Sequence, residues 1–240
     1  MKRILLAALL SCTTAFASIT ATHRNTSTDF TSTSGSYSVT STTAGNLMVV
    51  LLQNRSSATD TITSITGGGT YVRASRSPST SAGRATEIWY CLPLSAGVTS
   101  LTVNVSASDT VSVTAIEYSS TLGVMFFDTS SSTTNATCGT STCAGAPMTS
   151  NGANDLFVGY AASPTATFTG TAVLPLSAAG SDTHGNPLAD NEFQSGSPQT
   201  FSPTFNCTSS SGDAVEISAV AFSDTAISAT AKVKHKVTNQ

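Results

Sequence analysis

Oxygen-bearing side chains crowd one stretch of this chain, Ser181-Asp182-Thr183-His184-Gly185-Asn186-Pro187-Leu188-Ala189-Asp190-Asn191-Glu192. Asp182, His184, Asp190 and Glu192 are candidate ligands for a divalent cation, with Ca2+ as the cofactor, because a hard cation takes several carboxylate and carbonyl oxygens. The Gly, Asn and Pro between them mark a surface loop. The spacing is not that of an EF-hand, and the competing reading is a turn whose Asp and Asn side chains hydrogen-bond their own backbone. Two further acids, Glu87 and Glu117, lie in strand-like segments and share a parity that lets them face one groove across two sheets. They are the candidates for glycoside hydrolysis, which works with two carboxylates. Each is equally suited to a strand end or to an ion pair with an arginine such as Arg73 or Arg84. Nucleophilic hydrolysis has less to work with: there is no Gly-x-Ser-x-Gly elbow, and of His23, His184 and His235 two lie near the termini. No catalytic residue is assigned.

The cysteines depend on the compartment, which the first residues address. Met1-Lys2-Arg3, the apolar run Ile4 to Leu10 and the small-residue end Ala15-Phe16-Ala17 form a signal-peptide pattern over residues 1–17, with Ser18 as the mature terminus. The run is too short for a membrane helix, which takes about 20 residues, and no later segment is apolar enough for a transmembrane span. Leu9-Leu10-Ser11-Cys12 offers a rival, lipid attachment at Cys12. The expected location is secreted, extracellular or periplasmic. Cys91, Cys138, Cys143 and Cys207 remain, and an even count in an exported chain points to disulfides with three connectivities. Cys138 and Cys143 bracket a small flexible loop, and a local bridge there contributes about 2 kcal/mol by loop entropy. The complementary Cys91–Cys207 bridge contributes about 5 kcal/mol by the same rule. Zinc is the lesser reading of the Cys-x4-Cys spacing, since no His lies nearby.

Charge excludes one large class of partner. Lysines occur only at positions 2, 232, 234 and 236, and between Arg3 and Lys232 the bases are Arg24, Arg55, Arg73, Arg76 and Arg84. An acidic body without a basic stripe repels phosphate backbones, so no nucleic acid is expected. Residues 225–240 read as a basic tail.

The elements that must position these residues are strands. Leu47 to Leu52 is a dense apolar run fit for burial on both faces, and Thr61 to Thr66, Thr86 to Tyr90, Leu101 to Val105 and Val111 to Tyr118 alternate or are β-branched. Gly67-Gly68-Gly69 and Ser108-Asp109 read as turns. Leu156 to Tyr160, Thr165 to Thr169, Ala172 to Leu176, Glu192 to Gln194, Thr200 to Phe205 and Val215 to Phe222 follow. The halves repeat one another. Ala44-Gly45-Asn46-Leu47-Met48-Val49 aligns with Ala153-Asn154-Asp155-Leu156-Phe157-Val158, Glu87-Ile88 with Glu192-Phe193, and Asp109 to Ser119 with Asp213 to Ser223.

The expected fold is all-β: a large antiparallel β-sandwich, jelly-roll-like in the concanavalin manner, with an internal pseudo-repeat. An N-terminal segment, 18–35, precedes a single domain over 36–224. Its halves, about 36–127 and 151–224, contribute to the same pair of sheets and are joined by a Cys-containing loop. The alternative is two tandem Ig-like sandwiches, which lack here the buried Trp between paired cysteines.

The segments Ala44 to Val50, Thr86 to Tyr90, Ala115 to Ser119, Ala153 to Val158 and Ala219 to Phe222 resemble uncharacterised, Ser/Thr-rich secreted bacterial proteins with a jelly-roll, lectin-like sandwich. The resemblance covers most of residues 36–223 and implies fold, export and binding of a glycan or cell surface. It transfers no functional residue. Glycosidases on such a fold carry a Glu-x-Asp-x-x-Glu strand, whereas Glu87-Ile88-Trp89-Tyr90-Cys91 has no second acid. For stacking on sugar, Tyr37, Tyr71 and Tyr160 are the available rings, with Trp89 expected in the core. The function read from the sequence is a non-enzymatic extracellular binding module whose partner is a carbohydrate or cell-surface polymer. The alternatives are a self-assembling envelope or filament protein, and a glycoside hydrolase on a lectin-like sandwich.

Overall fold

A computed structural model of the chain describes residues 19–55, 59–79, 83–137, 142–152, 154–163, 167–168, 176–181, 187–208 and 214–225. Among them all regular structure is β. The first half supplies β1 (Ile19–Ser38), β2 (Leu47–Asn54), β3 (Ile62–Thr66), β4 (Tyr71–Ser79), β5 (Arg84–Cys91) and β6 (Ser100–Ser120). The second supplies β7 (Phe126–Thr137), β8 (Thr142–Ala144), β9 (Met148–Thr149), β10 (Asp155–Ala162), β11 (Thr167–Phe168), β12 (Leu176–Ser181), β13 (Pro187–Ser195), β14 (Thr200–Phe201), β15 (Thr204–Thr208) and β16 (Ala214–Ser223).

Antiparallel sheets pack face to face as a β-sandwich. Each half forms its own main sheet, rather than both halves sharing two. The first sheet runs β1-β6-β2-β5-β4, with β3 also paired to β6. The second runs β7-β16-β10-β13-β12, which is the same order counted within its half. Register carries the likeness to single residues. The pairs Leu47–Tyr118, Val49–Ile116 and Leu51–Thr114 in one sheet stand where Leu156–Phe222, Val158–Val220 and Tyr160–Ser218 stand in the other. Those are the residues that the aligned segments match. Gly45 and Asn154, just before the central strands, both have positive φ, 84° and 57°, a conformation that Gly and Asn tolerate best. Glu192, by contrast, pairs with Val158, whereas Glu87 pairs with Leu52, so those two acids are not counterparts.

Strand alternation explains the layers. Leu47, Val49 and Leu51 of β2 meet Leu156, Val158, Tyr160, Val220 and Phe222 in the core between the two sheets. The other face of β2, Met48, Val50 and Leu52, packs under Tyr37, Ile62, Ile65 and Leu101. On the outer face of β10, Ala161 meets Phe168 and Phe205, and Phe157 meets Met148 and Phe201, so the small β11-β15-β8 and β9-β14 sheets cover it.

Several boundaries differ from the sequence reading. The segment 18–35 is not separate, because β1 pairs with β6 from Ile19 to Ser38. Residues 128–150 are not a loop, since they hold most of β7 and all of β8 and β9. Both β1 and β7 are sheet-edge strands, rich in Thr and Ser, and lack the apolar alternation that marks a half-buried strand. Ser108-Asp109 does not reverse the chain: β6 runs through it, with a register shift against β1 between Ser32 and Ser34.

Because the core joins both halves, Leu51→Ala and Leu156→Ala are each expected to cost about 3 kcal/mol. In either variant, hydrogen exchange should accelerate together in β2 and β10. Acceleration confined to the mutated half would show two independent units.

Candidate functional site

Glu87 and Glu117 lie on one face of one sheet, not across two. Through the shared neighbour β2 they stand opposite Leu52 and Met48, which puts their backbones about 16 Å apart by strand geometry. A glycosidase pair stands within about 5–9.5 Å. Each carboxylate is also fully buried and engaged. The Trp89 indole donates to Glu87 Oε2 at 2.8 Å, and Arg76 Nε and the Ile62 amide donate to Oε1 at 3.1 and 3.3 Å. Arg73 lies 3.7 Å from Oε2 with its guanidinium over the Trp89 ring at 5.9 Å. Glu117 Oε1 accepts from the Thr43 amide at 2.9 Å and from Asn46 Nδ2 at 2.7 Å, and His23 Nδ1 lies 2.8 Å from Oε2. Both sites brace the sheet, as the ion-pair alternative anticipated for Glu87.

The metal segment divides. Asp182 and His184 lie outside the described residues. Asp190 and Glu192 are not in a loop but on β13, in register with Tyr160 and Val158 of β10 and with Ala178 and Leu176 of β12. A strand flanked on both sides extends through the polar run because pairing satisfies its backbone whatever the side chains are. Among the described residues no three His, Cys, Asp or Glu side chains converge as a metal site.

The two expected disulfides are not formed. Cys143 is a free buried thiol, which removes Cys138–Cys143, and Cys138 lies outside the described residues. Cys91 is also free and lies in the outer core of the first sheet, whereas Cys207 lies in that of the second, which removes Cys91–Cys207. Cys143 and Cys207 instead face one another, with their sulfurs 3.7 Å apart across β8 and β15. Burial pushes the Cys91 thiol up to about 11 and the Cys143 thiol up to about 12, so neither is a ready nucleophile.

A second acid group surrounds the turn before β10. Asn151 and Gly152 donate their amides to Asp128 Oδ2 at 2.6 and 3.3 Å, and Asn151 Nδ2 donates to Oδ1 at 2.9 Å. Asp155 is fully buried nearby, where Asn46 stands in the other half. Burial, together with Asp128 and Asp224, raises its carboxyl to about 6 against the pull of Ser150 and Ser223.

The aromatic rings singled out from the sequence are all inside. Tyr37, Tyr71, Tyr160 and Trp89 are buried. The exposed apolar surface is elsewhere, on the stretch formed by the link from the first sheet to the second and the start of β7. Of the five large apolar residues exposed among those described, Leu122, Val124, Phe126 and Phe127 belong to it, and Val72 is the fifth. Val72 pairs with Tyr90, whose ring stacks on Phe127 at 5.4 Å and 9°. Phe222 meets both edge-on, at 5.2 and 6.2 Å, so Phe127 lies at the rim of the inter-sheet core. The sequence carries a signal for this stretch. Leu122-Gly123-Val124-Met125-Phe126-Phe127 has no polar side chain, in a chain otherwise built on Ser and Thr.

No known family model, curated protein or solved structure matches this chain.

Two substitutions check these assignments. Glu87→Gln leaves two part-exposed arginines beside a neutral amide and should cost about 1.5–3 kcal/mol, the range for hydrogen bonds to a charged group. A loss under 1 kcal/mol in chemical denaturation would remove its bracing role. Asp155 stabilises the fold most below its ordinary value of 3.8, and that contribution is lost as pH rises through about 6. Asp155→Asn should therefore match the parent in acid and melt higher above neutrality, as thermal scans across pH can test.

Proposed function

We propose that this chain is a non-enzymatic binding module working outside the cytoplasm, and that its contact surface is the ridge formed by Leu122, Val124, Phe126, Phe127 and Val72. One observation carries this reading: four of the five exposed large apolar residues fall within six consecutive positions, and one of them, Phe127, is locked into the Tyr90–Phe127–Phe222 ring cluster. Exposed apolar surface concentrated in this way marks interaction sites. Rings already locked against one another offer anchors that need little further ordering on binding. The ridge favours an apolar partner, a protein face or the apolar part of a surface polymer, over a free sugar, whose hydroxyls need polar partners.

Self-assembly is the second reading, favoured by weak like-charge repulsion between copies, with net charge −3 and only 10% of residues charged. Sedimentation velocity over a concentration series, alongside pull-down on insoluble cell-wall polymers, separates the two. Phe126→Ser/Phe127→Ser should abolish whichever binding the parent shows. Binding that survives this double change would move the function off the ridge, and a parent that stays monomeric and binds no polymer would count against both readings.

A further inference from the structure

At the end of the inter-sheet core away from the ridge, apolar packing gives way to a polar row that crosses the first sheet. Ser77 pairs with Thr86, Thr86 with Gln53, Gln53 with Ser112, and Ser112 with Asp29, so the row spans β4, β5, β2, β6 and β1. Gln53 and Thr86 stand two positions beyond Leu51 and Ile88, on the face that meets the second sheet. The contact across the sheets is direct: Thr86 Oγ1 lies 3.0 Å from Ser218 Oγ, and Ser218 Oγ donates to the Thr86 carbonyl at 3.1 Å. Glu216 is two residues from Ser218 on the same face of β16 and is fully buried. Neither oxygen of its carboxyl and neither amide atom of Gln53 has a well-aligned hydrogen bond among the described residues. A buried polar group left so costs stability, and an ionised one costs far more.

We infer that the joint between the two sheets is a pH-responsive clasp in which Glu216 seals that end while it carries its proton and loosens it on ionising. Among the described residues the charged groups around it are few. The β4–β5 hairpin brings Ser79 and Arg84, and the Asp29–Arg55 pair closes the far end of the row at 3.3 Å. Arg73, Arg76 and Glu87 of the same hairpin strands are on the opposite face of the sheet, where they hold one another. From the second sheet, Asp155 stands at the far end of the β10–β16 ladder and Asp128 lies beyond it on β7, while Asp190 and Glu192 hold register positions on β13. Burial raises the Glu216 carboxyl to about 7, against the pull of Ser79, its own backbone amide and Arg84. A carboxyl raised in this way favours the folded state below its ordinary value of 4.5, and that contribution is lost as pH climbs through about 7.

The test is hydrogen exchange and thermal melting of the full chain from about pH 4 to about pH 8, for the parent, Glu216→Gln and Asp155→Asn. In the parent, the melting temperature should fall across the range, and the amides of the β4–β5 hairpin and β16 should lose protection near neutrality. Glu216→Gln should keep that protection at high pH. Asp155→Asn, on the outer face of the second sheet, should leave the loss in place. An unchanged loss in Glu216→Gln would overturn the clasp. Should that variant fail to fold, carbon-13 titration of the parent decides, because a Glu216 midpoint at the ordinary 4.5 would equally exclude it.

Discussion

A strand with apolar side chains at nearly every position cannot leave either face in water, and β2 and β10 are two such strands. Pairing their sheets face to face buries only half of each. The remaining faces need covers, and most of the smaller elements supply them. In the first half the cover is β3 and the segments around Tyr37 and Leu94, and in the second it is the β11-β15-β8 and β9-β14 sheets. The layered build follows from that need, since hydrophobic burial is the main favourable contribution to folding. It also explains why a chain with so many Ser and Thr residues has enough core.

The two halves share a plan but differ in polar detail. Strand order and register coincide, and so does the left-handed residue before each central strand. Yet Asn46 joins a satisfied group with Glu117, Thr43 and His23, while Asp155 at the equivalent place faces two more acids. Packing requires only that apolar side chains recur at alternate positions, so the scaffold tolerates different polar groups at the same point. The specific character of each half therefore lies in these groups and in the covers, rather than in the sheets.

What could be read in the sequence follows the same division. Leu47 to Leu52, Leu156 to Tyr160 and Val215 to Phe222 were legible because both-face burial and alternation leave marks in residue type. The repeat was legible because register is fixed by those same residues. The edges were not, since β1 and β7 need Thr and Ser that are indistinguishable from loop composition. Glu87 carried an arginine partnership that could be guessed, but Arg76 Nε and the Trp89 indole reach it only through cross-strand register. The cysteines misled because proximity in sequence suggested Cys138–Cys143, while the sheet brings Cys143 beside Cys207. The exposed apolar residues left their mark not in Tyr or Trp but in a run without polar side chains.

The pairing of β1 with β6 bears on the order in which the molecule assembles. Ile19 waits for Ser120 and Ser38 for Ser100, so β1 has no partner until β2 to β5 and then β6 itself have been made. Contacts so distant in sequence slow folding and prolong the time in which a strand stands unpaired. An apolar strand in that position would offer itself to any neighbouring chain. Thr and Ser along β1 keep it solvated during the wait, and the few larger side chains, such as Ile19, Phe30 and Tyr37, are enough to seat it once β6 arrives. The polar composition that hid this strand from a reading of the sequence is thus what lets it wait for β6.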